Sequence, residues 1–211
     1  MKKMVCFLLT AVFLLPLILH APLSFAETPL SPPIIYVSRD GSGTQNYTCD
    51  GEDDQVQINK AIDDILRDNV QGCHTIHLKP GVYTIKEPIL MGGKSGQRII
   101  LEGEGTNTVI LLDEDAIWPK LKGVIMQRSE SEFKSNFIIR NLKMDGNALN
   151  MKFCIKDGQQ HPMNYYNENG NKAETGQDWH DLIYLIGCTN VEVYGMYFTN
   201  SYNDALRIKD C

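Results

Sequence analysis

The chain has 211 residues, 43% of them hydrophobic, and carries 20 Lys+Arg against 26 Asp+Glu for a formal charge of −6. That acidic balance excludes a general nucleic-acid binder, which needs a basic face, and it disfavours a strongly anionic polymer unless cations cluster locally. The length suits one domain with a sizeable core.

Lys2 and Lys3 precede an apolar run from Met4 to Leu19, and Ser24-Phe25-Ala26 sets small residues at the positions a signal peptidase inspects. Residues 1–26 therefore read as a secretory signal peptide cleaved after Ala26. The competing reading, a retained membrane anchor, is opposed by Pro16 and Pro22 and by the lack of a stop-transfer flank. No other stretch approaches the roughly 20 apolar residues of a membrane span. The remainder, 27–211, is about 185 residues with a charge near −8. It is expected to be secreted, extracellular or at the cell surface, with no membrane association once the signal is removed.

After a proline-rich lead (Pro29, Pro32, Pro33), Ile34 to Val37 reads as a first strand and Gly41 to Gly51 as a polar loop. Asp54 followed by Gln57 fits a capping box. Ile58, Ala61, Ile62 and Ile65 then recur at helical spacing, predicting an amphipathic helix over about 54–67 that closes near Gly72. Its economical role is to cap the apolar end of a stack of strands, since solenoid ends need covers; a helix of an ordinary α+β domain is the bland alternative. Beyond it the period switches to two. Thr75–Leu78, Val82–Ile85, Arg98–Glu102 and Thr108–Leu112 are predicted strands, broken by turns at Lys79-Pro80-Gly81 and Gly103–Asn107. Short strands at this spacing without intervening helices indicate an all-β architecture, a sandwich being the usual form.

Internal repetition favours a solenoid instead. Asp181–Cys188 (D-L-I-Y-L-I-G-C) and Asp204–Cys211 (D-A-L-R-I-K-D-C) match at a constant offset of 23 residues, within the range of solenoid repeats. Asn136–Gly146 and Asn190–Asn200 match at an offset of 54, read here as two rungs of 23 with a short insertion. The leading asparagines are expected to stack as a side-chain ladder. The predicted fold is all-β: a right-handed parallel β-helix with an N-terminal capping helix. The surplus length falls at about 149–180, which carries His161, Tyr165, Tyr166, Trp179 and His180. Such an excursion folds over one face, its aromatics stacking on sugars or packing the loop to the wall. The chain stops at Cys211 in mid-rung, so further C-terminal rungs or another chain are expected to cover that end.

Cys6 departs with the signal, leaving Cys49, Cys73, Cys154, Cys188 and Cys211. Cys49 and Cys73 flank the predicted helix. Cys188 and Cys211 fall at equivalent points of adjacent rungs, about 4.8 Å apart, as either a disulfide or two stacked thiols. Asn46-Tyr47-Thr48 is a weak glycosylation sequon. No spacing matches a zinc or calcium loop, so no cofactor is expected; calcium would rest on the acidic surface alone.

In the strand Ala205–Lys209, Leu206 and Ile208 should face inward, which turns Arg207 and Lys209 outward. Tyr184 lies one rung below Arg207 and Asp181 one rung below Asp204. With Tyr202 and Asn203 these form a polar, aromatic strip suited to an extended glycan. An arginine can fork onto a uronate carboxylate, a basic group can take the proton beside it for β-elimination, and two carboxylates can hydrolyse a glycosidic bond. Catalytic candidates are Asp204, Arg207 and Lys209; substrate-binding candidates are Asp181, Tyr184, Tyr202, Asn203, Trp179 and His180. The alternative role of Asp181 and Asp204 is turn hydrogen bonding at a strand start.

Asp53-Asp54-Gln55 with Ile58 and Ala61-Ile62, then Ile76-His77-Leu78-Lys79-Pro80-Gly81-Val82-Tyr83 and Leu101-Glu102-Gly103-Glu104-Gly105, resemble the opening of pectate-lyase-like β-helix proteins. More narrowly, Asp40-Gly41-Ser42-Gly43, Cys49-Asp50-Gly51, Asn190–Tyr197 and Asp204–Lys209 resemble the archaeal disaggregatase group, secreted methanogen proteins that loosen a chondroitin-like matrix. Arg207-Ile208-Lys209 is similar to the R-I-K motif of polygalacturonases, but their G-H-G and N-T-D elements are missing and Asn203-Asp204 is a partial echo. The resemblance implies a protein acting on or binding an extracellular uronic-acid polysaccharide, as lyase or hydrolase. A non-catalytic glycan-binding solenoid and an inactive truncated copy are the alternatives.

Overall fold

The computed structural model describes residues 34–44, 47–117, 122–156, 159–162 and 180–211, with the backbone alone at 122, 153–156, 159–162 and 180. The signal segment, Asn46 of the sequon and most of the 149–180 excursion, Trp179 included, lie outside the described residues. The described residues fall in one unit, Ser31–Cys211. It is mostly β, and both of its larger sheets are parallel.

The first sheet runs β1 (Ile35–Val37), β2 (Gly72–Leu78), β5 (Gln97–Leu112), β7 (Ser135–Asp145) and β11 (Thr189–Tyr194), with β3 (Gly81–Ile85) on β5 and β12 (Tyr197–Thr199) on β7. The second runs β4 (Ile89–Met91), β6 (Lys122–Gln127), β10 (His180–Ile186) and β13 (Leu206–Lys209). The chain visits the two sheets in alternation: β2 and β3 then β4, β5 then β6, β7 then β10, β11 and β12 then β13. β8 (Phe153–Lys156) and β9 (Gln159–Pro162) form a separate antiparallel hairpin.

Period-two alternation forms these strands because every second side chain shares a face. In-register pairing then stacks like on like. Ile76, Leu101 and Ile139 make one apolar column, each 0% exposed. Ile89, Ile125 and Ile183 make another, also 0% exposed, and Leu206 continues it at 39%. Leu206 and Ile208 do face the core side, lining an open cleft of about 450 Å³ with Leu185, Val191 and Val193.

Three expectations change. The helix, α1 (Gln55–Asp68), buries Ile58, Ala61, Ile62, Ile65 and Leu66, but Asp54 makes no side-chain cap. Its buried carboxylate instead accepts from the backbone N–H groups of Gly51 and Thr84, both at 2.8 Å. The helix ends at Asn69 in the left-handed region (φ 51°), and Gly72 opens β2. Residues 98–112 form one strand rather than two; the predicted Gly103–Asn107 corner survives as register shifts on either side of Gly105. Most telling, β11 pairs directly with β7. The 54-residue offset is therefore a single strand-to-strand step, not two.

The expected asparagine ladder is present. Asn190 Nδ2 donates to Asn136 Oδ1 at 2.6 Å, and Asn136 Nδ2 donates to Lys94 O at 3.0 Å. Both asparagines sit at positive φ (58° and 54°), a conformation Asn tolerates where a corner must turn.

Candidate functional site

The repeat that predicted the strip is realised in the pairing of β10 with β13. Tyr184 is the register partner of Arg207, and Ile186 of Lys209. Below Tyr184 the outer column continues with Met126 and Leu90. Gly123 lies under this wall for a steric reason: a Cβ there would come within 2.6 Å of Tyr184 N and 2.8 Å of Tyr184 Cβ.

Asp181 is fully buried and serves the turn into β13. Its Oδ1 accepts from Asn203 Nδ2 at 2.6 Å and from the Asp204 N–H at 3.0 Å. Asp204 is half exposed, and its Oδ2 receives Arg207 Nε at 3.0 Å and Nη2 at 2.8 Å. Arg207 Nε also lies 3.1 Å from Asp181 Oδ2. Because that N–H points at Asp204, the contact with Asp181 is ionic, and among the described residues Asp181 Oδ2 accepts no hydrogen bond. The fork onto Asp204 holds the Arg207 pKa above its usual value. Arg207 is thus engaged by two carboxylates, while Lys209 is exposed and makes no ion pair among the described residues. Tyr202 is buried at 4% and presents no open ring. Asn203 is spent on Asp181. His180 opens β10, on the rung of Lys122.

A second polar column, which the sequence reading did not pick out, crosses the first sheet. Tyr36, His77, Glu102, Arg140 and Tyr194 are successive register partners over five strands. The His77 ring meets Tyr36 edge-on at 5.4 Å. Its Nδ1 lies 3.1 Å from Glu102 Oε1 and its Nε2 3.3 Å from Glu104 Oε1. Arg140 Nε donates to the other Glu102 oxygen at 2.6 Å, and Arg140 Nη1 to the Tyr194 hydroxyl at 2.9 Å. Burial alone would push Glu102 up; hydrogen bonds from His77 and Arg140, with the Arg140 charge, outweigh it and hold its carboxyl below the usual range. One signal was available: each residue is the middle of a like triad, I-Y-V, I-H-L, L-E-G, I-R-N and V-Y-G.

Among the described residues no group of His, Cys, Asp and Glu could hold a metal ion, and no helix is long and apolar enough to cross a membrane.

No protein-family model matches this chain, and no curated protein matches it. Among solved structures it is similar to two Azotobacter vinelandii mannuronan C-5 epimerase A-modules. The AlgE6 module is 21% identical with a TM-score of 0.43, over 74% of this chain and 37% of the module. The AlgE4 module is 21% identical with a TM-score of 0.41, over 83% of this chain and 50% of the module. The chain thus spans half or less of the length of these neighbours. Likeness at this level carries no argument about activity.

Proposed function

We propose that this chain is an exported, carbohydrate-active protein built as a right-handed parallel β-helix with α1 covering one end of its core. It acts on or binds an extracellular uronic-acid polysaccharide, as a disaggregatase-like matrix glycan lyase or hydrolase. The alternation of the chain between two parallel sheets and the in-register apolar columns support the solenoid. The observation that carries the glycan reading is the register of Tyr184 with Arg207 on an outer wall, with Asp204 and Lys209 beside it. Rungs about 4.8 Å apart present such groups at intervals close to a sugar repeat.

In this reading Lys209 neutralises the uronate carboxylate, Arg207 positions it through Asp204, and Tyr184 and Trp179 stack on sugar rings. Asp204, the exposed carboxylate, is the acid/base. Neutralising the carboxylate acidifies the adjacent C–H, whose proton a base removes as the glycosidic oxygen departs; protonating that oxygen instead leads to hydrolysis.

Incubation with chondroitin-like and pectic polymers tests the proposal. New reducing ends signify hydrolysis, and an added ultraviolet absorbance from an unsaturated uronate signifies elimination. Asp204→Asn should abolish turnover, by about 10²-fold or more, with binding largely retained; an unchanged rate removes Asp204 from the acid/base role. One observation favours a second, non-catalytic reading: Arg207 is already held by Asp181 and Asp204. Binding without either product would establish that reading, and neither binding nor turnover would defeat both.

A further inference from the structure

The register of β10 with β13 runs on past both strands. The Gly187 N–H donates to Lys209 O at 2.9 Å, and the Cys188 N–H reaches Cys211 Sγ at 3.2 Å across a sequence separation of 23 residues. The two cysteines therefore occupy the same position on adjacent rungs, and both line the cleft beside Leu206 and Ile208. Directly stacked residues on parallel neighbours lie about 4.8 Å apart, inside the Cα separation a disulfide bridges without backbone movement. Both are free thiols. The pair is asymmetric: Cys188 is 1% exposed and Cys211 is exposed.

We propose that Cys188 and Cys211 are a modification site, joined by exchange with a small-molecule disulfide such as glutathione disulfide into a staple that pins β13 to β10. Accessibility sets the order of events. The Cys211 thiolate attacks one sulfur of glutathione disulfide, forming a mixed disulfide and releasing one glutathione thiolate. The Cys188 thiolate then attacks Cys211 Sγ; the Sγ–Sγ bond forms and the second glutathione leaves. The two protons lost by the cysteines end on the two glutathiones, and the two electrons gained by glutathione disulfide come from the protein thiols. Burial, then the neighbouring Cys211, push the Cys188 thiol up, so the second step should quicken as pH rises. Among the described side chains, the other two free thiols have no such partner. Cys49 donates to the Asp54 carbonyl in the core, and Cys73 is exposed on β2, in register with Arg98 rather than a cysteine.

The staple would matter because β13, which carries Arg207 and Lys209, pairs with β10 alone among the described strands. The test equilibrates the full chain with glutathione disulfide, then applies intact mass and non-reduced peptide mapping. The expected result is a loss of about 2 Da with a single 188–211 cross-link. Hydrogen exchange of the 206–209 amides should slow by about tenfold or more, and dithiothreitol should reverse both changes. Cys211→Ser, a near-isosteric substitution at an exposed position, should lose the cross-link and the slowing while keeping the circular dichroism of the parent. A glutathione adduct on Cys211 that never resolves, a cross-link to Cys73 or Cys154, or no mass change would each overturn the proposal.

Discussion

Two outer columns of this protein look alike as lists of residues and differ as chemistry. On the first sheet, Tyr36–His77–Glu102–Arg140–Tyr194 zips five strands together, each side chain meeting its vertical neighbour by a ring contact or a hydrogen bond. On the second, the column climbs from Leu90 through Met126 to Tyr184 and Arg207, so polarity is confined to the last rungs. The first column holds the sheet, and its charges are consumed internally. The second keeps an exposed cation, Lys209, with no ion pair among the described residues, while its half-exposed carboxylate, Asp204, is forked by Arg207. A polar stripe across a parallel sheet is thus a candidate ligand site only where its charges are not already answered by the neighbouring strands.

The comparison can be broken by four measurements, the largest effect first. Gly123→Val should cost about 3 kcal/mol or more, because the added carbons meet Tyr184 backbone that cannot move without disturbing the β6–β10 pairing. A urea midpoint close to the parent would show that the second wall is more yielding than described. Arg140→Met should cost roughly 1–3 kcal/mol by stranding the largely buried Glu102 carboxylate, yet leave glycan binding unchanged. Loss of binding in a stably folded Arg140→Met protein would move the site to the first sheet.

A pH dependence sharpens the same contrast. The Glu102 carboxyl is held below its ordinary value of 4.5, so it contributes stability that is present above that value and fades as pH falls through its lower folded one. The melting temperature of the parent should exceed that of Glu102→Gln near neutrality, and the gap should close in acid. A gap that widens on acidification would contradict the assignment. Lys209→Ala should have the smallest effect on stability, within about 0.5 kcal/mol. Its consequence should appear in binding of a uronate-containing glycan, weakened by up to about tenfold and more visibly at low salt.

How much of this was legible beforehand depended on whether rung length stayed constant. The match of Asp181–Cys188 with Asp204–Cys211 could be read because no insertion interrupts it, and the structure pairs those strands at the same 23-residue spacing. The first-sheet column was hidden because its steps are irregular: 25 residues from His77 to Glu102, 38 from Glu102 to Arg140 and 54 from Arg140 to Tyr194. The same irregularity misled the count of rungs between Asn136 and Asn190. Asp181 and Tyr202 read as surface groups because both fall in line with the polar strip around Asp204 and Arg207, yet both are buried.

Alternation of apolar and polar residues by itself determined that this chain makes short strands with one inward face, and the spacing of Ile58, Ala61, Ile62 and Ile65 determined the helix. These are local properties, set by the geometry of neighbouring side chains along one segment. Which strands became neighbours was decided only in three dimensions, since excursions of any length can leave a rung and return to it at little entropic cost. The fate of each charge followed from that choice. Arg140 meets Glu102, and Arg207 meets Asp181 and Asp204, because pairing brought them within reach, while Lys209 found no such partner among the described residues.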